Sequence, residues 1–431
     1  MQVGHIETRK LHVIHWSVVS IQAEKSTPPY STSVSNKMKI LTVDIGTGTQ
    51  DIFLYDSNLD IENGFKLVLP SPTMMVHRRL KQALPLRTPI LLTGHQMGGG
   101  PSAWAIEEYA RAGIPVYMTP SAATTINDEL DKVETLGIKI IGEDEVGGLR
   151  SKVERLELKD FDFELISKTF NDYGVLLGDL SAIAVAVFDH GNAPAGVSDR
   201  QFRFDYIDER IRAKNSLSSF IFPSKDIPKI MTRLQAVADS AGNLDYPLLV
   251  MDTAPAAVLG ANFDPVVAKR GRKIIVNVGN FHTLAFRLGD GIEGVFEHHT
   301  GEIDLPKLEK YIRALADGSL KHQDIFDDMG HGALVYGTNP FEFGKDEFDV
   351  VVTGPRRSMF LTEDRGPKTE GNRPPSSVLR PYFATPFGDM MIAGCFGLLA
   401  ATADVIPDLA EIIQRSLKGE TGRGVAPWDA V

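Results

Sequence analysis

Met38-Lys-Ile-Leu-Thr-Val-Asp-Ile-Gly-Thr-Gly-Thr-Gln-Asp-Ile-Phe-Leu-Tyr-Asp56 is the stretch whose reading decides the fold. Ile40, Leu41 and Val43 form a short apolar, partly β-branched run, Gly46 and Gly48 mark a tight turn, and Ile52, Leu54 and Tyr55 predict a returning strand. The result is a β-hairpin with Asp44 just before its tip. Gly46 and Gly48 let backbone N–H groups approach a phosphate, and the Thr47 and Thr49 hydroxyls can donate to its oxygens. Asp44 would repel that phosphate, so its expected task is to hold Mg²⁺ through water. The same residues also fit an ordinary hairpin with a glycine-rich turn.

Lys273 to Leu288 repeats the design: an apolar strand from Ile274 to Val276, polar Asn277, then Gly279 and a returning strand with Thr283, Leu284 and Phe286. Two hairpins of this kind point to two halves facing one cleft.

Through these loops the chain resembles the actin-like ATPase superfamily of sugar kinases, 70-kDa heat-shock chaperones and acyl-phosphate kinases. The resemblance implies an α/β fold of two ribonuclease H-like halves around a central cleft. It also implies ATP and Mg²⁺ as cofactors, gripped by a first loop of the Asp-x-Gly-Thr/Ser type and a second of the Asp-x-Gly-Gly/Thr type. Asp44 to Thr49 fits the first. In the second, Asn277 replaces the acid and Phe281-His282 replaces small hydroxyl residues. Phosphate contact by Asn277, Gly279 and Asn280 stays open, and metal-assisted hydrolysis is weakened.

From Met38 onward the chain also resembles a prokaryotic family known as "putative pyruvate formate-lyase activating enzyme", through Gly94-His95-Gln96-Met97-Gly98-Gly99-Gly100-Pro101, Asp189-His190-Gly191-Asn192-Ala193-Pro194 and Gly388-Asp389-Met390-Met391-Ile392-Ala393-Gly394-Cys395. A glycyl-radical activase holds a [4Fe–4S] cluster on three cysteine thiolates. This chain has one cysteine, Cys395, so it does not hold that cluster alone.

At 431 residues the chain has room for two cores. A net charge of −11 disfavours nucleic-acid and anionic-membrane partners, which need a basic surface. A lone cysteine without a secretory signal suits a reducing cytoplasm. No run reaches the roughly 18 apolar residues of a membrane span. The expected partners are nucleotide and a small-molecule or protein acceptor that the sequence does not identify.

Residues 1–37 include a Ser/Thr/Pro run and are expected to be a flexible extension, or the product of an upstream start codon assigned in error. The first half is expected at 38–190, a connecting segment at 191–245, the second half at 246–420 and a flexible tail at 421–431. After the hairpin, a third strand at Phe65–Leu69, a helix at Pro72–Leu84, a strand at Pro89–Thr93, a helix at Ser102–Ala112 and a strand at Pro115–Met118 complete the order of a ribonuclease H-like half. Gly94 to Gly100 opens a helix after a strand, where N–H groups face a ligand gap, and this makes His95, Gly98 and Gly99 candidate acceptor contacts. A tight strand-to-helix turn is the alternative.

Asp189 and His190 end a buried strand, where they can bind a metal, move a proton or tie a loop together. In the charge-dense stretch Ser198–Arg212, Arg200 and Arg203 are candidates for an anion. Asp252, before an Ala-rich helix, is similar to the sugar-kinase position that supplies the catalytic base; capping that helix is the other reading. By the same resemblance Gly354, with Arg356 nearby, is the adenosine candidate, against an ordinary Gly-Pro turn. Leu361–Pro381 is expected to be a loop.

Two further functions stay open. One is a regulatory protein that binds nucleotide or another anion without turnover. The other is a metal-dependent enzyme using His95, His190, His282, His299 and His331. Glu297 and His299 share a strand face and need His331 or Asp328 to complete a site.

Overall fold

A computed structural model describes residues 38–149, 153–337, 339–361, 378–422, 425–426 and 428. The expected extension at 1–37 lies outside these residues, as do most of the expected loop after Leu361 and much of the tail. Along the chain the strands are β1 (Lys39–Ile45), β2 (Thr49–Asp56), β3 (Phe65–Pro70), β4 (Ile90–Gly94), β5 (Val116–Met118), β6 (Lys139–Ile140), β7 (Glu154–Leu158) and β8 (Leu180–Val187). They continue as β9 (Ile221–Pro223), β10 (Leu248–Asp252), β11 (Lys273–Val278), β12 (His282–Leu288), β13 (Ile292–His299), β14 (Gly332–Val335), β15 (Val350–Thr353) and β16 (Pro381–Phe383).

Two six-stranded sheets repeat one plan: β3-β2-β1-β8-β10-β9 and β14-β13-β12-β11-β15-β16. In each, a hairpin and a third antiparallel strand are followed by a strand parallel to the first, β8 on β1 and β15 on β11. This strand order makes both sheets ribonuclease H-like and bears out the predicted α/β fold of two such halves. Every residue of β1 after Lys39 is buried, as is β8 apart from Ser181. Strands covered on both faces read as continuous apolar runs, and LSAIAVAV of β8 does so.

One expectation is corrected here. The strands placed at Pro89–Thr93 and Pro115–Met118 do not complete the first sheet. They are β4 and β5 of a separate parallel sheet, ordered β6-β5-β4-β7, with a core of its own around Leu80, Leu92, Ile106, Tyr109, Val116 and Leu156. β7 alternates polar and buried residues as ERLEL and gives β4 its second neighbour. β8 takes the vacated place beside β1, and β10 pairs on the far side of β8. β10 therefore pairs in the first sheet, although the boundary expected at 246 assigns it to the second half.

Two helices tie the sheets together. Thr253–Ala261 leads from β10 towards β11, and Ala393–Val405 returns from the second sheet to pack on β1, β8 and the first of these helices. Among the described residues no helix is long and apolar enough to cross a membrane.

Candidate functional site

The two glycine hairpins line a single cleft of ≈ 830 Å³. Each tip closes in the same way: the Gly46 N–H donates to the Thr49 carbonyl at 2.9 Å, and the Gly279 N–H donates to the His282 carbonyl at 2.9 Å. The tips also meet, since a Cβ added to Gly48 would lie 2.6 Å from Asn280 Nδ2. Asp44, Gly46, Thr47, Gly48, Thr49, Asn277, Gly279, Asn280 and Gly354 all line this space.

At its base two carboxylates face each other across the first hairpin, because the register pairs Asp44 with Asp51. The Thr253 hydroxyl donates to Asp44 Oδ1 at 2.6 Å. Asp51 Oδ1 is buried without a hydrogen-bond partner. Burial pushes Asp44 up to about 6 despite the Thr253 bond. Burial, with Asp44 as its neighbour, pushes Asp51 up to about 8. Two carboxylates this close in a poorly hydrated site resist joint ionisation, and a divalent cation relieves that resistance. Sequence reading missed Asp51, although counting the hairpin register outward from the tip places it opposite Asp44.

Other predicted residues have internal partners. Asp252 caps the helix Thr253–Ala261 through the Ala254 N–H at 3.0 Å and pairs with Arg203 at 2.6 Å; it does not line the cleft. Arg203 is 1% exposed, donates to Asp252, Glu297 and the Asp189 carbonyl, and so has no free face for an anion. Arg200 donates to the carbonyls of Phe326 and Gly330 and stacks on the Phe326 ring. Asp189 lines the cleft, but its carboxylate accepts the N–H groups of Gly191 and Leu234. Arg356 is exposed outside the cleft lining, and Gly354 packs so closely on Asn277 and Val278 that a Cβ there would lie 2.5 Å from each.

The loop Gly94–Gly100 reaches the cleft with Gly98 and Gly99 but not with His95. Two of its amides are already engaged: Met97 donates to Thr125 and Gly98 to the Asp160 carboxylate. Arg233 closes the same gap by pairing with Asp160 at 2.7 Å. The turn thus holds an internal carboxylate where an external anion was expected.

Deeper in the cleft, His190 and His282 are part of its lining, and His331 lies fully buried beside them. The Nε2 atoms of His190 and His331 are 3.1 Å apart. Phe188 is stacked between His282 at 4.0 Å and the Arg203 guanidinium at 3.9 Å. Burial holds all three imidazoles neutral, pushing His190 down to about 3 and the other two well below their ordinary value. His299 flanks the group and gives its Nδ1 to the Met329 carbonyl. His298 points to the opposite face of β13 and pairs with Asp328, which removes Asp328 from the cluster.

No curated protein matches the chain. Among solved structures it is similar to the ethanolamine utilization protein EutJ from Carboxydothermus hydrogenoformans, at 11% identity over 86% of this chain and 90% of that one with a TM-score of 0.29. It is similar to MreB5 of Spiroplasma citri, solved bound to ADP, at 10% identity over 88% and 98% with a TM-score of 0.28. A ROK hexokinase from Thermus thermophilus matches at 12% identity over 59% of this chain with a TM-score of 0.22, and the chain spans 48% of that protein's length. Residues 97–359, more than half of the sequence, match the family described as "Putative pyruvate format-lyase activating enzyme (DUF1786)", and the chain belongs to that family.

Proposed function

We propose that the chain binds ATP with Mg²⁺ in the cleft and couples binding to a movement of its two halves, as a phosphotransferase or as an ATP-driven activator of another protein. The observation that carries this reading is the opening of both glycine hairpins, with the buried pair Asp44 and Asp51, into one cleft. The residues fit the ligands: Asp51 Oδ1 is an orphaned acceptor suited to the water shell of Mg²⁺, and Gly48 and Gly279 keep the tips clear of side chains. Gly46 to Thr49 and Gly279 to Asn280 would hold the phosphates, and Gly354 would lie towards the nucleoside, with Arg356 left outside the cleft. When bound, ATP supplies the transferable phosphoryl group.

The family's description names an activating enzyme. Cys395 is buried against the carbonyls of Asp51 and Thr42 and is the chain's one thiol, so the activation proposed here runs on nucleotide-driven movement.

Asp252 favours a second reading, binding without turnover, because both of its carboxylate oxygens face Arg203 and no carboxylate base is left at that position. Thermal unfolding with ATP and Mg²⁺, followed by a phosphate-release assay, separates the two. Ligand at a hundred times its Kd stabilises by about 2.7 kcal/mol. Stabilisation with release supports phosphoryl transfer, stabilisation without release supports the regulatory reading, and no stabilisation overturns both. Asp51→Asn is expected to remove the Mg²⁺-dependent part of the shift while the protein stays folded.

A further inference from the structure

We propose that His190, His282 and His331 form a tris-imidazole site for one divalent transition-metal ion of zinc-like preference at the floor of the cleft, with Glu297 orienting His331.

The three rings come from separate parts of the fold: the loop after β8, the first residue of β12 and the residue before β14. One ligand nitrogen from each lies within 4.8 Å of the others. Zn–N bonds of about 2.0–2.1 Å in a tetrahedron separate neighbouring nitrogens by about 3.3 Å. His190 and His331 already stand at 3.1 Å, Nε2 to Nε2. The third nitrogen, on His282, lies within 4.8 Å of the other two and has about 1.5 Å or less to close.

Glu297 is placed as the carboxylate behind a metal-bound histidine is placed. Its backbone carbonyl accepts the His331 N–H at 2.9 Å, and its Oε1 lies 3.4 Å from His331 Nδ1. Both of those side-chain atoms are fully buried and lack a hydrogen-bond partner. A purely structural histidine stack leaves them unexplained. An ion on Nε2 fixes the proton on Nδ1, and that proton then points at Glu297. Buried Arg203, a cation beside the rings, is itself paired with two carboxylates, Asp252 and Glu297. Imidazole-only ligation selects zinc, copper, nickel or iron over magnesium and calcium. Because His190 and His282 line the cleft, a fourth position would face it and take water or an anionic oxygen.

The test uses full-length protein made without a polyhistidine tag, stripped with chelator and titrated with Zn²⁺ or Co²⁺ alone. With no nucleotide present, the outcome is independent of the ATP reading. The expected result is one equivalent of metal per chain and a visible Co²⁺ spectrum of a low-coordinate nitrogen site. The double variant His190→Ala, His282→Ala is expected to lose at least a hundredfold in affinity, while His95→Ala, outside the cluster, retains it. Should the double variant fail to fold, long-range ¹H–¹⁵N spectra of the unaltered protein decide: Zn²⁺ must shift the nitrogens of three imidazoles. Absence of stoichiometric binding, equal binding by the double variant, or unshifted imidazoles would each overturn the proposal.

Discussion

Asp44 has a helix pressed against it: a Cβ added to Gly394 would lie 1.8 Å from Asp44 Oδ2. Gly394→Ala is therefore expected to push the carboxylate aside, cost about 1–3 kcal/mol in chemical unfolding and reduce the stabilisation by ATP and Mg²⁺. Unchanged values in both measurements would show that helix and carboxylate are not in contact. A pH-dependent case lies away from the cleft at Asp349, which takes a two-pronged ion pair from Arg380 and the N–H groups of Gly344 and Arg380. Burial works against these partners, yet together they hold its carboxyl below the ordinary range. A carboxyl depressed in the folded state stabilises above its unfolded pKa, about 3.9, and loses that contribution as pH falls through the folded value. Asp349→Asn is expected to cost about 1–3 kcal/mol at pH 7, with the difference from the parent shrinking below pH 4. An equal difference at pH 7 and pH 3 would exclude ionisation as its source. Arg203 shows what residue reading misses: in a charge-dense segment it reads as a contact for an external anion, but the helix Asp199–Ala213 turns it inward onto the protein's own carboxylates.

At the scale of elements, the joint between the two sheets is a crossing of glycine-containing helices. A Cβ on Gly260 would lie 1.6 Å from the Ala393 carbonyl oxygen, and one on Gly397 would lie 1.9 Å from that of Ala256. Backbone-to-backbone contact of this kind leaves no side chain to yield. Gly260→Ala is expected to destabilise by about 1–3 kcal/mol in denaturant titration, and a neutral outcome would mean the helices are further apart. The hairpins, the third strand at Phe65–Leu69 and the helix begun at Pro72 were legible from local periodicity and turn residues. The sheet to which β4, β5 and β10 belong was not, because a parallel strand's neighbour is set by long-range pairing that leaves no local pattern.

At the scale of the molecule, the small parallel sheet reaches the second hairpin. Phe281 lies where a Cβ on Gly100 would stand, 2.3 Å from the ring, and packs on Trp104 with centroids 5.6 Å apart. Movement of the second hairpin on nucleotide binding is expected to change tryptophan emission, and Trp104→Phe to remove that change. An emission change that survives the substitution would place the movement elsewhere. The sequence by itself determined the twin hairpins, the carboxylate at the first tip and the exclusion of a three-thiolate cluster, since turn chemistry, strand period and cysteine number are local or compositional. Tertiary structure alone decided that Asp252 and Arg203 are engaged with each other, that Asp160 fills the glycine turn, and that three histidines separated by many residues converge. Those outcomes depend on which buried groups find partners across the fold, and side-chain proximity of that kind is carried by packing and not by spacing along the chain.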